Sequence, residues 1–209
     1  MRANFLPILM SHGPWLMLVF LLQALPAPAI ADDAASGAGQ AGTPQPEAAK
    51  LAALPLAAVP SALRRAEEAF YGTAGQLSAP RLWMFVDPQC SYSMRALAAL
   101  QPYIASGKVQ LALIPLSLLD RENGGESTAD ALAMLSRPAD QMVTAWQTGH
   151  LSNAPDPAAS QRLDINMETA KSIRLHGTPT FLWRNKDGSE GRLDRVPTDM
   201  DALVQSLER

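Results

Sequence analysis

The stretch that most constrains this chain runs from Leu82 to Ile114. Leu82-Trp83-Met84-Phe85-Val86 is an unbroken apolar run of strand length, rich in residues that suit a buried β-strand. Asp87-Pro88-Gln89 ends it, because proline has no N–H to give to a ladder. Beyond Ser91 the apolar residues Met94, Leu97, Leu100 and Ile104 recur at spacings of three and four, which predicts a helix to about Ala105 with an interior kink at Pro102. Ser106-Gly107 closes that helix, and Val109-Gln110-Leu111-Ala112-Leu113-Ile114 reads as a second strand. Two apolar strands joined by a helix form a βαβ unit, which requires parallel pairing and a right-handed crossover.

The only cysteine of the 209 residues, Cys90, stands where the first strand turns into the helix. A sulfur at a helix start meets unpaired backbone N–H groups and the positive end of the helix dipole, both of which favour thiolate over thiol. A lone cysteine can also be a small buried hydrophobe. Its place at the turn, rather than inside either element, favours a reactive and partly exposed nucleophile.

The chain is mildly acidic, with 17 Lys and Arg against 20 Asp and Glu, and its basic residues are scattered, so nothing marks a nucleic-acid surface. Residues 1–31 have the form of a secretory signal, expected to be cleaved, with an uncleaved anchor as the alternative. Arg2 supplies a positive end, Trp15 to Leu25 an apolar core, and Ala29-Ile30-Ala31 a small-x-small site before Asp32-Asp33. The apolar core is too short to span a bilayer, so no stable membrane span is expected in the mature chain. The expected destination is the periplasm. Exported proteins usually carry paired cysteines, whereas this chain has one, which excludes an internal disulfide and leaves its thiol in an oxidising compartment.

Residues 32–60 are expected to be a low-complexity linker or arm, rich in Ala, Gly, Pro and Gln. Ser61 to Phe70 looks helical, with Ser61 as cap and Gly72 as its end, and Thr73 to Pro80 reads as a turn. After the βαβ unit, Arg121 to Ser127 reads as a polar loop. Thr128–Leu135 and Ala139–Trp146 read as helical pieces, and 149–161 as another loop. Asn166 to Leu175 is expected to be helical, Thr180 to Trp183 a strand, and Asn185-Lys186-Asp187-Gly188 a hairpin turn leading to a partner strand at 190–194. Thr198 is expected to start a last helix with Met200, Leu203, Val204 and Leu207 on one face. The single cysteine and three histidines never fall at metal-ligand spacing, and no cofactor is expected. The domain is therefore expected at 61–209, as an α/β fold of order β-α-β, a helical insertion at about 121–165, then α-β-β-α.

That order is the thioredoxin-like one, and four motifs extend the likeness. Phe85-Val86-Asp87-Pro88-Gln89-Cys90-Ser91-Tyr92-Ser93 resembles the active-site run Phe-x-Asp-Pro-x-Cys-x-Tyr-Cys of the bacterial periplasmic disulfide isomerases DsbC and DsbG. Ser106-Gly107-Lys108-Val109-Gln110-Leu111 is similar to the family's second-strand entry, most of all to that of DsbG. Gly177-Thr178-Pro179 matches its Thr-Pro loop, and Asn185 to Gly188 sits where its hairpin does. The resemblance covers about Ser61 to the C-terminus. Two departures stand out: the second family cysteine is Ser93 here, and the family's N-terminal dimerisation domain is expected to be absent.

The resemblance implies a catalytic pair Cys90 and Ser93, and a cis Pro179 with Thr178 presenting backbone to an extended substrate. Tyr92 then lines the substrate groove or merely packs. Asp87 tunes the local field or only shapes the turn with Pro88. Ser91 and His176 are further candidate modulators, the histidine either activating the thiol or lying on a surface loop. The function expected first is an exported thiol–disulfide exchange protein, isomerase- or reductase-like, attacking protein cysteines through one nucleophilic thiol. Its partners would be cysteine-containing exported proteins and an external thiol reductant. The alternative is a non-redox chaperone or assembly protein that keeps the groove and has lost turnover. A Cys–His hydrolase is disfavoured, since no orienting Asn or Asp accompanies Cys90.

Overall fold

The computed structural model describes residues 60–151 and 156–207. The signal-like segment 1–31 and the 32–59 part of the expected linker lie outside the described residues. The βαβ unit forms as the sequence requires: β2 (Arg81–Val86), α2 (Ser91–Ala105) and β3 (Gln110–Pro115), with β2 and β3 parallel and Leu82, Trp83 and Met84 opposite Leu111, Ala112 and Leu113. A Schellman cap ends α2. Lys108 N–H bonds to the Tyr103 carbonyl and Gly107 N–H to that of Ile104, with Gly107 at φ 72°.

Three further strands join the pair in one five-stranded sheet of order β1-β3-β2-β4-β5. Before the unit come α1 (Ala62–Glu67) and β1 (Gly72–Ala74). After it come α3 (Asp120–Asn123), α4 (Glu126–Leu135), α5 (Ala139–Gln147), α6 (Pro157–Ser172), β4 (Thr180–Arg184), β5 (Glu190–Leu193) and α7 (Met200–Leu207). β4 pairs antiparallel with β2, setting Thr180 opposite Phe85, and β5 pairs antiparallel with β4. From β2 onward the element order is the expected one.

Period-two alternation along the central strands builds two cores, one on each face of the sheet. Leu82, Met84, Val86, Leu111 and Leu113 pack against Leu97 and Leu100 of α2, Met134 and Trp146 of the insertion, and Leu203 and Leu207 of α7. Trp83, Phe85, Ala112 and Ile114 face Leu63 and Ala66 of α1, and Ala170 and Ile173 at the end of α6. Both faces are covered, which is why β2 and β3 read as unbroken apolar runs.

Several expected boundaries are corrected. The helix after Ser61 does use that residue as its cap, but it ends at Glu67, not at Gly72. The expected turn at 73–80 begins inside β1, a three-residue strand defined by its antiparallel partner β3. The expected loop at 121–127 is mostly helical, as α3 and the start of α4. The helix expected from Asn166 begins nine residues earlier, at Pro157 (166 against 157), because Asp156 caps it and proline fits its first turn, where no N–H partner is needed. Met94 is 37% exposed, so the buried stripe of α2 runs through Ser93, Ala96, Leu97, Leu100 and Ile104. Asp199, not Thr198, takes the Ala202 N–H at the start of α7.

Among the described residues, no helix is long and apolar enough to cross a membrane, and no three His, Cys, Asp or Glu side chains are grouped to hold a metal ion.

Candidate functional site

Strand β2 delivers the chain to a turn at 87–89, and Cys90 is the N-cap residue of α2 with extended backbone (φ −77°, ψ 111°). Its N–H bonds to the Asp87 carbonyl at 3.0 Å, and its own carbonyl takes the Met94 N–H, the first helical bond. The sulfur therefore lies over the open amides of the first turn.

The Cys90 side chain is less accessible than the sequence suggests: the residue is 8% exposed. The thiol donates to the Thr178 carbonyl, with Sγ 3.2 Å from the oxygen. Burial is the strongest single influence on the thiol and pushes its pKa up. The Thr178 side chain, the Ser93 N–H and hydroxyl, and the Tyr92 N–H lie near enough to favour the thiolate; together they outweigh that effect, and the thiol lies below its ordinary value. A buried sulfur whose pKa is nevertheless lowered differs from an inert core thiol, which burial alone would push up.

Ser93 is fully buried, and its hydroxyl has no partner in conventional hydrogen-bond geometry. It falls short of a full bond to the neutral thiol yet is near enough to favour the thiolate. Its place at the third residue of α2 follows from the helix register, which turns position 93 inward beside Cys90.

Facing the thiol is the loop 177–179, in which the Thr178–Pro179 peptide bond is cis. Thr178 is half-buried and Pro179 buried. The loop is held from behind by the buried Thr180, whose Oγ1 lies 2.8 Å from the Gly177 carbonyl and 3.1 Å from Asp194 Oδ1. Cys90, Ser93 and Thr178 are thus brought together as the sequence suggests, with Pro179 directly behind Thr178.

Tyr92 is 57% exposed, and the Arg95 guanidinium stands 4.4 Å from its ring centroid. The ring is held at the surface beside the mouth by that cation–π contact. Ser91 is exposed and takes no part in the bonds to the sulfur. His176 is exposed as well, makes no hydrogen bond to Cys90 among the described residues, and is not one of the groups acting on the thiol.

Asp87 does shape the turn, and by means the sequence does not reveal. It is fully buried and accepts four hydrogen bonds. Gln89 N–H (2.9 Å) and the Ser127 hydroxyl (2.7 Å) bind Oδ1, and the amides of Leu118 (2.7 Å) and Leu119 (2.9 Å) bind Oδ2. Two more side chains from the helical insertion reach the same turn. Trp146 Nε1 donates to the Pro88 carbonyl at 3.2 Å, and Gln89 Nε2 donates to Asp130 Oδ2 at 2.6 Å. The sequence alone assigns no role at the site to Ser127, Asp130 or Trp146. The one available signal was Trp146, a buried aromatic whose N–H must find a partner.

No family model matches the chain. It is 28% identical over 150 residues to the thiol:disulfide interchange protein DsbG of Pseudomonas aeruginosa, covering 69% of this chain and 57% of that protein. The chain thus spans little more than half the length of that relative. Among solved structures it is similar to the catalytic domain of Proteus mirabilis ScsC, with a TM-score of 0.51 at 17% identity over 66% of this chain and 86% of that one. It is also similar to the thiol-disulfide exchange protein alpha-DsbA2 of Wolbachia pipientis, with a TM-score of 0.53 at 13% identity over 69% of this chain and 89% of that one. Pseudomonas aeruginosa DsbA2 gives a TM-score of 0.52 at 15% identity, covering 65% and 91%. At such identities these structures establish the thioredoxin-like architecture.

Proposed function

We propose, from its similarity to DsbG and its thioredoxin-like architecture, that the chain is a DsbG-like disulfide-exchange protein acting on cysteines of exported proteins with Cys90 as its single nucleophile. The observation that carries the reading is the Cys90 thiol itself. It is buried, yet its pKa is lowered by donors from two separate elements, the first turn of α2 and the Thr178 loop.

In the first step the Cys90 thiolate attacks one sulfur of a substrate disulfide. A Cys90–substrate disulfide forms, the original S–S bond breaks, and the second substrate sulfur leaves as a thiolate that takes a proton from solvent. Loss of the Cys90 proton also frees the Thr178 carbonyl, which then has an open lone pair for a backbone N–H of an extended substrate. Ser93 cannot resolve the mixed disulfide, because an alcohol does not exchange with sulfur. Resolution falls to a second thiolate of the substrate, which gives isomerisation, or to an external thiol, which gives net reduction. In either case Cys90 is the leaving group, and a thiol of lowered pKa leaves faster.

A polypeptide substrate would have a surface near the site on which to lie. An open groove of about 590 Å³ starts at Leu118, whose amide is bound to Asp87, and reaches Leu175 shortly before the Thr178 loop. Met167 and Ala170 line it together with the polar Asp164, Glu168 and Lys171. The signal-like residues 1–31 and the DsbG-like relationship support the periplasm as the site of action.

The test is reactivation of a model protein carrying scrambled disulfides, with and without a small thiol. Wild type should accelerate recovery and Cys90→Ala should not. Equal recovery with both proteins would refute the proposal.

A further inference from the structure

Three side chains of the helical insertion converge on the residues just before the nucleophile. Ser127 of α4 donates to Asp87, Trp146 of α5 donates to the Pro88 carbonyl, and Asp130 of α4 accepts from the Gln89 side chain. Two of these contacts lie in the interior, with Ser127 fully buried and Trp146 5% exposed. Together with the Cys90 N–H on the Asp87 carbonyl and the Gln89 N–H on the Asp87 carboxylate, they tie down the Asp87 carboxylate and carbonyl, the Pro88 carbonyl and the Gln89 amide groups. A turn whose polar groups are tied from outside has little freedom to shift.

We propose that the helical insertion acts as a clasp on the active-site turn, with Trp146 and Ser127 as positioning residues that fix where the Cys90 sulfur points. Neither touches the sulfur; both act through Asp87 and Pro88. The sulfur is flanked by donors from two elements, the first turn of α2 and the 177–179 loop. Holding residues 87–89 against α4 and α5 sets the start of α2, and with it the approach of the Tyr92 and Ser93 donors to the sulfur.

The direction of failure follows from the geometry. If the turn relaxes and Cys90 stays buried, donors are lost while the burial that opposes ionisation remains. If it relaxes and Cys90 becomes exposed, the thiol returns toward its ordinary value. Either way the thiolate becomes scarcer near neutral pH. The charged side chains nearest the turn, Asp87, Asp130 and Arg95, are kept in the variants below, so no change of net charge enters.

The inference rests on Cys90 being the nucleophile, and its test reads the thiol without any disulfide substrate. The rate of Cys90 alkylation by iodoacetamide is measured from pH 5 to pH 10, a range of about five units around ordinary thiol titration, for wild type, Trp146→Phe and Ser127→Ala. Leu207→Ala, a buried α7 residue away from the turn, serves as a control that lowers stability alone. In Trp146→Phe and Ser127→Ala the profile should move to higher pH and the rate at pH 6 should fall by about threefold or more, the scale of one displaced hydrogen bond. Leu207→Ala should lower the melting temperature and leave the profile in place. Unmoved profiles in both clasp variants would overturn the inference, whatever their melting temperatures. Should Trp146→Phe not fold, Ser127→Ala, which removes one oxygen, decides the question. Wild type that alkylates at low pH yet fails in disulfide exchange would refute the proposed function and leave the clasp standing.

Discussion

Replacing Ser93 with alanine should make the protein more stable and less reactive at once. The Ser93 hydroxyl is fully buried and lacks a conventional partner, so the folded protein carries the cost of dehydrating it. Relief of a poorly satisfied hydroxyl is worth about 1 kcal/mol, and alanine adds roughly 0.5 kcal/mol of helix propensity. The same hydroxyl helps to hold the Cys90 thiol below its ordinary pKa, after burial, which acts the other way. Losing a donor to the thiolate at about 1 kcal/mol reduces the thiolate fraction below the thiol pKa by about fivefold.

The two effects separate with pH. A thiol whose folded pKa is depressed adds stability that is complete above the unfolded value and is lost as pH falls through the folded one. The stabilisation by Ser93→Ala should therefore be largest at acid pH, where both proteins carry a neutral thiol. It should shrink between the lowered folded value and the ordinary one. Urea melts at pH 5 and pH 9, about one extreme on each side of that window, together with iodoacetamide rates at pH 6, make the test. A variant that alkylates at the wild-type rate would refute the role given to the hydroxyl. A stability gain that does not change with pH would refute the linkage.

Three other outcomes are expected. Asp87→Asn keeps the shape but sets an amide NH₂ against donors on at least one side of the carboxylate site, where four donors now converge; urea denaturation should show a loss of about 3 kcal/mol. Gly191→Ala would put a methyl carbon 1.9 Å from Trp183 Cε2, so the ring must leave its bond to Asn185 and the hairpin should lose about 1–3 kcal/mol. Ser93→Cys would place a second thiol in the first turn of α2; isotope-coded mass analysis should show a disulfide linking positions 90 and 93 after oxidation, and persistence of two free thiols would contradict the placement of position 93 beside Cys90.

The central fold is legible because its signals are local. The apolar runs of β2 and β3, the spacing of Leu97, Leu100 and Ile104, and the Gly107 stop each depend on a few neighbouring residues. β1 is not legible, because three residues carry no period and exist as a strand only through pairing with Leu111 to Leu113. The start of α6 is hidden for a different reason: Pro157 suggests a break, whereas after a capping Asp156 it opens a helix. At the site, Cys90, Ser93 and Thr178 follow from motif and order. Spacing alone puts Met94 on the buried face, whereas it is 37% exposed, since a residue one turn from the cap can keep the helical period and still reach solvent. The clasp is out of reach, because Ser127 and Trp146 meet the turn from 40 and 58 residues away and no pattern along the chain marks that contact.

The most direct test of a single-thiol exchanger is to catch its covalent intermediate. Reduced protein is mixed with a peptide bridged by one disulfide, quenched in acid and weighed intact, then treated with a small thiol and weighed again. The expected result is an adduct of one peptide mass on Cys90 that disappears with the thiol. A protein that alkylates readily at Cys90 yet never forms the adduct would contradict it.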